Sequence, residues 1–262
     1  MILPSDGSHD FNPQNTLSNF TIKLARTLEF NGEYECALSE IIFPNRLVNV
    51  REGHNMINIH RFTKKLSNYL KKSFRIPAGS YDSVTKVVAA VENIIGKIKY
   101  GGVGSRGRRV NAFTISYNST TKRVTVKTKF NYAVHFGSDI CYLLGFEVGK
   151  LNTAGLDVID GTRTGEYYAS KTGGLNTLYI YTDIIKEQIV GGIHSPLLRV
   201  INLGQKENNE ESTSMTMDRL FYCAMKRTNI DNINIQLRDD MGHLVHFEFG
   251  KVVVVLEFRP KV

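Results

Sequence analysis

The chain has 262 residues, 42% of them hydrophobic, and a formal net charge of +8. It is long enough for one large domain or two small ones, and no apolar run approaches the roughly 20 residues of a membrane helix. The first residues lack the apolar core of a secretory signal. Three widely spaced cysteines, Cys36, Cys141 and Cys223, exclude a disulfide framework or a C-x-x-C metal pair. We therefore expect no membrane span and a reducing compartment.

The positive charge is concentrated in the middle of the sequence. Residues 61–129 contain sixteen Lys and Arg residues but only two acidic ones, Asp82 and Glu92, whereas the rest of the chain is mildly acidic. Such a block is typical of a surface that binds nucleic acid or an acidic partner, but also of a solvated face that keeps a protein soluble. Composition leaves both interpretations open.

The N-terminal part of the chain predicts an arm followed by strands. Residues 1–15 are polar and contain two prolines and a glycine, so we expect a flexible arm. Apolar and polar residues alternate over residues 20–24, and an Asn-Gly turn signal separates this strand from a long one over residues 34–43. A third strand is predicted over residues 54–60.

A change of period marks a helix in the basic middle of the chain. After a basic stretch over residues 61–75, apolar residues recur every three or four positions over residues 81–95. Ser80 or Asp82 can cap the start of this helix, and Gly96 its end.

The remainder of the middle region predicts mixed structure. Strands over residues 112–117 and 122–128 form a hairpin, and a short helix capped by Ser138 ends at Gly145. Residues 149–176 are rich in Gly and Thr with little pattern, so we expect a long loop or a broken strand.

The C-terminal part returns to a β pattern that resumes near residue 178. Alternation over residues 230–237 and again over 245–249 predicts two antiparallel strands joined by a polar turn. Residues 252–258 are almost wholly apolar, which is typical of a strand covered on both faces. If its even-numbered residues fill the core, Val253 and Val255 point outward and meet an insertion, a partner or water.

These elements predict a mainly β protein with a jelly-roll sandwich and a basic, elaborated α+β middle. We expect the sandwich to comprise residues 16–60 and 175–262, with residues 61–174 inserted and packed on it. The strand near residues 19–25 should lie in the same sandwich as the strand near 251–258 and pair with it, because neither can remain an uncovered edge.

A glycine-rich segment resembles nucleotide-binding motifs without their context. Residues 102–107 match G-x-G-x-x-G, but the predicted helix precedes the motif and a strand follows it, which is the wrong order for binding a phosphate at a helix N-terminus. Arg106, Arg108 and Arg109 remain candidate contacts to a phosphate or an acidic partner, without sequence readout.

No other group of residues predicts catalysis or cofactor binding. His243 and His246 are three apart on a predicted strand or turn, which places them on opposite faces and argues against a shared metal. The adjacent acids Asp239 and Asp240 are better explained as hairpin residues than as a catalytic pair. We therefore expect no enzyme activity, no catalytic residues, no metal and no cofactor.

Several short segments match a known family in the same order along the chain. They cover residues 15–24, 31–41, 43–44, 143–146, 181–185, 190–191, 196–199, 238–242 and 247–252. This series resembles the minor capsid (penton) proteins of Polinton, or Maverick, elements and the related adintoviruses.

The resemblance implies a structural viral protein of the virion. Such a protein is a jelly roll that forms homopentamers at icosahedral vertices, beside a separate double jelly-roll major capsid protein. It would be made in the reducing cytoplasm or nucleus of the host cell, and its binding to nucleic acid would be non-specific. The alternative from the basic middle is a nucleic-acid-binding module, which would bind DNA electrostatically as a monomer.

Overall fold

The structure, a computed structural model, describes residues 1–62, 69–100, 110–148, 156–173, 175–203 and 211–261. The chain divides into two compact units. The first consists of Met1–Leu47 and Leu175–Val262, and the second of Val48–Gly174. The second unit is therefore an insertion between two strands of the first.

The described residues form strands and two α-helices. The strands are β1 (Ile2–Pro4), β2 (Asn19–Glu29), β3 (Tyr34–Pro44), β4 (Met56–Phe62), β5 (Tyr69–Arg75), β6 (Lys99–Tyr100), β7 (Val110–Asn111), β8 (Phe113–Asn118), β9 (Arg123–Phe136), β10 (Leu156–Thr164), β11 (Thr177–Thr182), β12 (Gln188–Val190), β13 (Ile193–Ser195), β14 (Leu197–Asn202), β15 (Ser212–Thr216), β16 (Cys223–Ala224), β17 (Asn229–Arg238) and β18 (Val253–Pro260). The helices are α1 (Val84–Ile95) and α2 (Ser138–Leu144).

The first unit is a sandwich built on two four-stranded antiparallel sheets. One sheet has the order β1-β18-β3-β15, with β16 also paired to β3, and the other has the order β14-β11-β17-β2. Of these eight strands in chain order, the first pairs with the last, the second with the seventh, the third with the sixth and the fourth with the fifth. This nested pairing is that of one long hairpin wrapped around a core, which is the jelly roll.

The first strand of the jelly roll lies in the segment that the sequence predicted to be a flexible arm. Ile2 pairs with Val255, and Leu3 is fully buried in the sandwich core. The amide of Ser5 donates to the carbonyl of Val252, and the Val252 amide donates back to the Ser5 hydroxyl at 3.1 Å. The arm prediction was wrong here because three residues are too few to show a period.

The predicted pairing of the strand near 19–25 with the last strand was also wrong. Both strands do lie in the first unit, but β2 pairs with β17, through pairs such as Ile22 with Ile233. β18 lies in the opposite sheet between β1 and β3. The position beside β18 that we predicted for β2 is occupied by β1, and β2 belongs to the other sheet.

Alternating apolar residues from both sheets fill the sandwich core. The most deeply buried of them include Phe20, Leu38, Ile41, Ile180, Ile233, Ile235, Leu237, Val254 and Leu256. Burying each such side chain stabilises the fold by about 1.5–3 kcal/mol relative to its exposure to water.

The last strand is buried on one face rather than both. Val254 and Leu256 are fully buried, whereas Val253 and Val255 are partly exposed on the outer face. The prediction that these two valines point outward is confirmed, and the prediction of cover on both faces was wrong. A run of valines suits either environment, so composition alone does not separate them.

The predicted strand over residues 245–249 is not a regular strand. Phe247 makes only an isolated bridge to Leu47, and Leu244 makes one to Arg238. The Asp239 carboxylate accepts hydrogen bonds from the backbone amides of Met241 and His243. These local hydrogen bonds hold a turn at the point where a ladder would begin.

The second unit is a five-stranded antiparallel sheet packed against two helices. Its strand order is β10-β9-β4-β5, with β8 also paired to β9. β4 lies in this unit, so the third predicted strand does not belong to the sandwich, and the insertion begins at Val48 rather than at residue 61. Buried side chains of both helices and of the sheet form a separate core, including Val87, Val91, Val126, Val134, Phe136, Ile140 and Leu144.

Local signals in the second unit predicted its elements well, although the helix caps differ. The side chain of Ser83, rather than that of Ser80 or Asp82, accepts from the amide of Lys86 at the start of α1. Gly137 precedes α2 without a side-chain cap, so Ser138 is its first residue and not its cap.

The end of α2 and the strand that follows it agree with the sequence signals for this region. α2 ends at Gly145 in the left-handed conformation, with φ of 77°. Within the segment expected to be a loop or a broken strand, Leu156–Thr164 forms β10, which pairs with β9 across an irregularity at residues 159–161.

Candidate functional site

The three predicted phosphate contacts, Arg106, Arg108 and Arg109, lie outside the described residues, so their role stays a prediction. The strands on either side of this segment, β6 and β7, pair with each other through Tyr100 and Val110. The motif is therefore flanked by strands, which is not the context in which a glycine-rich turn presents phosphate to a helix N-terminus.

The histidines and acids near the C-terminus form no metal site in the described part of the chain. His243 and His246 are both exposed, and His243 Nδ1 lies 3.5 Å from an Asp239 carboxylate oxygen. Among the described residues, no group of three His, Cys, Asp or Glu side chains could hold an ion. The Asp239 carboxylate shapes its own turn, as its bonds to backbone amides show.

The cysteines are held as thiols rather than as nucleophiles. Burial raises the pKa of Cys36 to about 12, and burial also raises the pKa of the half-buried Cys223. The two residues lie opposite each other where β16 pairs with β3. The Cys141 thiol is buried and donates to the carbonyl of Phe136 at 3.5 Å. A thiolate is required for nucleophilic attack, so these environments oppose that chemistry.

A buried ion pair in the second unit has a structural role. Both oxygens of Asp139 accept from Arg51, at 2.7 Å from Nη2 and 3.1 Å from Nε, and the Arg51 amide donates to the same carboxylate at 2.8 Å. Asp139 lies in the first turn of α2, where a carboxylate also stabilises the helix dipole. The pair therefore fixes the loop before β4 to the start of this helix.

The lysines of the second unit that the structure describes are solvent-exposed. Those within the basic block of residues 61–129 are Lys71, Lys72, Lys86, Lys97, Lys99, Lys122, Lys127 and Lys129. Of these, Lys86 pairs with Asp82 at 2.6 Å. The described lysines of the basic block thus lie on the surface, as both interpretations of the block require.

Apolar side chains occupy the outer face of the sheet that contains β1, β18 and β3. Val253 pairs directly with Ile42 and with Pro4, and Val255 pairs with Ile2. Residues opposite each other in adjacent strands share one face of a sheet. The two outward valines identified from the sequence therefore lie in a continuous apolar strip, whose most exposed member is Ile2 at 68%.

A cluster of two arginines and a phenylalanine lies at the edge of the other sheet. Arg199 pairs with the buried Ile180, so its side chain starts on the inner face of the edge strand β14. Its guanidinium lies 4.2 Å from the centre of the Phe221 ring, and that of Arg219 lies 5.4 Å from the same ring. Arg199 Nη1 is buried without a hydrogen-bond partner among the described residues.

A two-stranded hairpin connects β11 to this edge. β12 and β13 pair only with each other among the described strands, across a turn made by Gly191 and Gly192, whose φ values are 58° and 99°. Ile189 and Ile193 are 76% and 68% exposed. The Gly-Gly pair between apolar residues is a hairpin signal that the sequence analysis missed.

The base of this hairpin is joined to the segment that carries Phe221. The side-chain amide of Gln188 donates to the carbonyl of Leu197 at 2.6 Å and lies 3.1 Å from the sulfur of Cys223. The hairpin and the arginine–phenylalanine cluster are therefore parts of one edge of the sandwich. Sequence reasoning did not join them because the contact depends on tertiary structure.

No family model and no curated protein matches the chain. Among solved structures, the chain is similar to the mavirus penton protein, with a TM-score of 0.48 and 15% sequence identity over 98% of this chain and 97% of that one. The chain is similar to a viral penton protein. The jelly-roll fold of this chain is established by its own strand order. Among the described residues, no helix has the length and apolar character to cross a bilayer.

Proposed function

We propose that this protein is a structural capsid protein that forms the pentameric vertex, or penton, of an icosahedral virion. The observation that carries the proposal is the agreement between sequence segments and strand order. All but one of the segments that resemble the Polinton-type pentons fall in the first unit, and residues 143–146 are the exception. Residues 15–24 lead into β2, residues 31–41 into β3, residues 196–199 into β14 and residues 247–252 into β18. A chance match of short strings has no reason to concentrate at the strands of one jelly roll.

In this proposal the protein acts through shape rather than catalysis. Five copies close into a ring in which one patch of each subunit contacts a different patch on the next, so that no patch is left open. The ring meets the double jelly-roll major capsid protein around it, and the chain resides in the virion after synthesis in a reducing compartment of the host cell. The protonated, buried thiol of Cys36 is compatible with that compartment.

The native mass of the purified chain tests this proposal. Light scattering coupled to size-exclusion chromatography should give five times the chain mass of 29.5 kDa, and electron microscopy should show five-fold rings. A mass that stays at one chain up to tens of micromolar would contradict the vertex role.

A second candidate function is that of a basic nucleic-acid-binding module, favoured by the exposed lysines of the second unit. Electrostatic binding of this kind weakens steeply with salt and has little sequence preference. Fluorescence anisotropy with duplex DNA separates the two functions. A monomer that binds one DNA sequence tightly at physiological salt would favour the module, whereas a pentamer with weak, unselective binding favours the capsid role.

A further inference from the structure

We propose that the hairpin edge of the sandwich is the surface by which one copy of this chain binds the next copy in the ring. We call this the clasp surface and define it by Ile189, Ile193, Arg199, Arg219 and Phe221. The inference rests on the proposed pentamer and names the contact that closes it.

The hairpin exposes apolar side chains on both of its faces. Ile193 pairs directly with Val190, so these two share a face, and Ile189 lies on the opposite one. Both isoleucines are nevertheless mostly exposed. A hairpin that packed on its own sandwich would bury one of them, so this hairpin projects and fits a partner that receives both faces.

The arginines of the clasp surface lack a counter-charge. Among the described residues, neither Arg199 nor Arg219 forms an ion pair, and Arg199 Nη1 is buried with no acceptor. A buried guanidinium nitrogen without an acceptor is costly, because it has lost water and gained no hydrogen bond. Phe221 lies near both guanidinium groups and is 52% exposed, and Arg219 is exposed beside it, so the partner should offer carboxylates beside apolar side chains.

A second copy of the chain supplies such a surface. The loop between β17 and β18 carries Met241 and Phe249, which are 60% and 48% exposed, and each follows an exposed acid, Asp240 and Glu248. These two carboxylates form no ion pair within the described residues. We call this the acidic loop surface, defined by Asp240, Met241, Glu248 and Phe249.

The two surfaces lie at opposite ends of the strands of one sheet. Tyr181 of β11 pairs with Leu197, next to the hairpin, whereas Tyr179 pairs with Arg238, where the chain enters the acidic loop. Two different, complementary patches on one chain make a head-to-tail contact, which closes into a ring when the rotation between subunits allows it. A contact of like patches would instead stop at a dimer.

The first experiment removes the apolar part of the clasp surface. We expect I189S combined with I193S to convert the pentamer to a folded monomer, measured by light scattering with circular dichroism as the check on folding. The matched control is I2S, since Ile2 has the same exposure as Ile193 but lies on the other sheet. A double variant that remains pentameric, or an I2S variant that dissociates equally, would overturn the assignment.

The second experiment tests the charges. R219E should lower the pentamer fraction at least tenfold at low salt, and the added changes D240K and E248K in the same chain should restore it. Arg219 is preferred to Arg199 because it is exposed, so its reversal leaves the fold intact. Unchanged assembly of R219E, or the absence of any recovery in the triple variant, argues against this pairing.

The outcomes separate this inference from the proposed function. If the natural sequence is a monomer, the vertex role itself fails. If the natural sequence and every clasp variant are pentamers, the vertex role stands and the clasp surface is not the interface.

Discussion

The two units of the chain differ in how far apart along the sequence their paired residues lie. In the sandwich, Ile2 pairs with Val255, and three of the four nested strand pairs enclose the whole insertion. In the second unit, Asn118 pairs with Arg123 across a tight turn. Non-local pairing costs loop entropy before it gains contacts, so the sandwich should fold later and the insertion earlier.

The two units also differ in which parts of the chain form their cores. The sandwich depends on residues from both ends of the chain, whereas the insertion has its own core of helices and sheet residues. Each core can therefore be weakened through residues that belong to it alone.

The largest expected effect comes from truncating one large, fully buried ring in each core. Phe20→Ala in the sandwich and Phe136→Ala in the insertion should each cost about 3–5 kcal/mol, because each leaves a cavity. Hydrogen exchange read by mass spectrometry should show faster exchange in β2 and β17 for the first variant, and in β4 and β9 for the second. Each variant is the control for the other, and equal acceleration in both units would mean that they unfold as one.

The next effect tests the short first strand. Leu3→Ala should destabilise the sandwich by about 2–4 kcal/mol, since Leu3 is fully buried. Its neighbour Ile2 is exposed, and Ile2→Ala should change the unfolding free energy by no more than about 0.5 kcal/mol in dilute monomeric conditions. Urea denaturation measures both, and equal small effects would return residues 1–15 to the role of a flexible arm.

The elements of the chain were predictable where the signal was local. The helix over Val84–Ile95 showed its period, the hairpin of β8 and β9 its turn, and the end of α2 its glycine. The alternation of Ile233, Ile235 and Leu237 likewise located β17 and its buried face. These signals arise from contacts between near neighbours, which a sequence displays directly.

The pairings and the candidate site were not predictable in the same way. Which strand lies beside β18 is decided by β1, a strand of three residues without a period. The approach of Arg199 to Phe221 depends on strands that meet only in the folded sandwich. The predicted contacts at Arg106, Arg108 and Arg109 came from composition, and their test is the salt dependence of DNA binding in a triple alanine variant.

A smaller, pH-dependent change in the free energy of unfolding should arise in the sandwich, whose core contains Cys36. The pKa of Cys36 is about 12 in the folded chain against an ordinary value of 9.0. Below pH 9 the thiol is protonated in both states and its stabilising contribution is fully present. As pH rises from 9 toward 12 the unfolded thiol ionises first, so stability falls, with a limiting slope of about 1.4 kcal/mol per pH unit.

The variant Cys36→Ala isolates this contribution. Its unfolding free energy should decline less steeply than that of the natural sequence between pH 9 and 11, although it starts lower because of the lost side chain. Urea denaturation at several pH values measures the two slopes, and contributions from tyrosine and lysine ionisation cancel in their difference. Identical slopes would show that the thiol of Cys36 is not held protonated.

The smallest expected effect concerns the start of α1 in the insertion. Ser83 accepts a hydrogen bond from the Lys86 amide at 3.4 Å, which is longer than a typical N–H···O hydrogen bond, so Ser83→Ala should cost only about 0.5–1 kcal/mol. Ser80 is the matched control, because the sequence allows it to be the cap while the structure places the helix start three residues later. Ser80→Ala should therefore leave the thermal unfolding of the insertion unchanged. A larger loss from Ser80→Ala than from Ser83→Ala would move the start of this helix to the earlier cap.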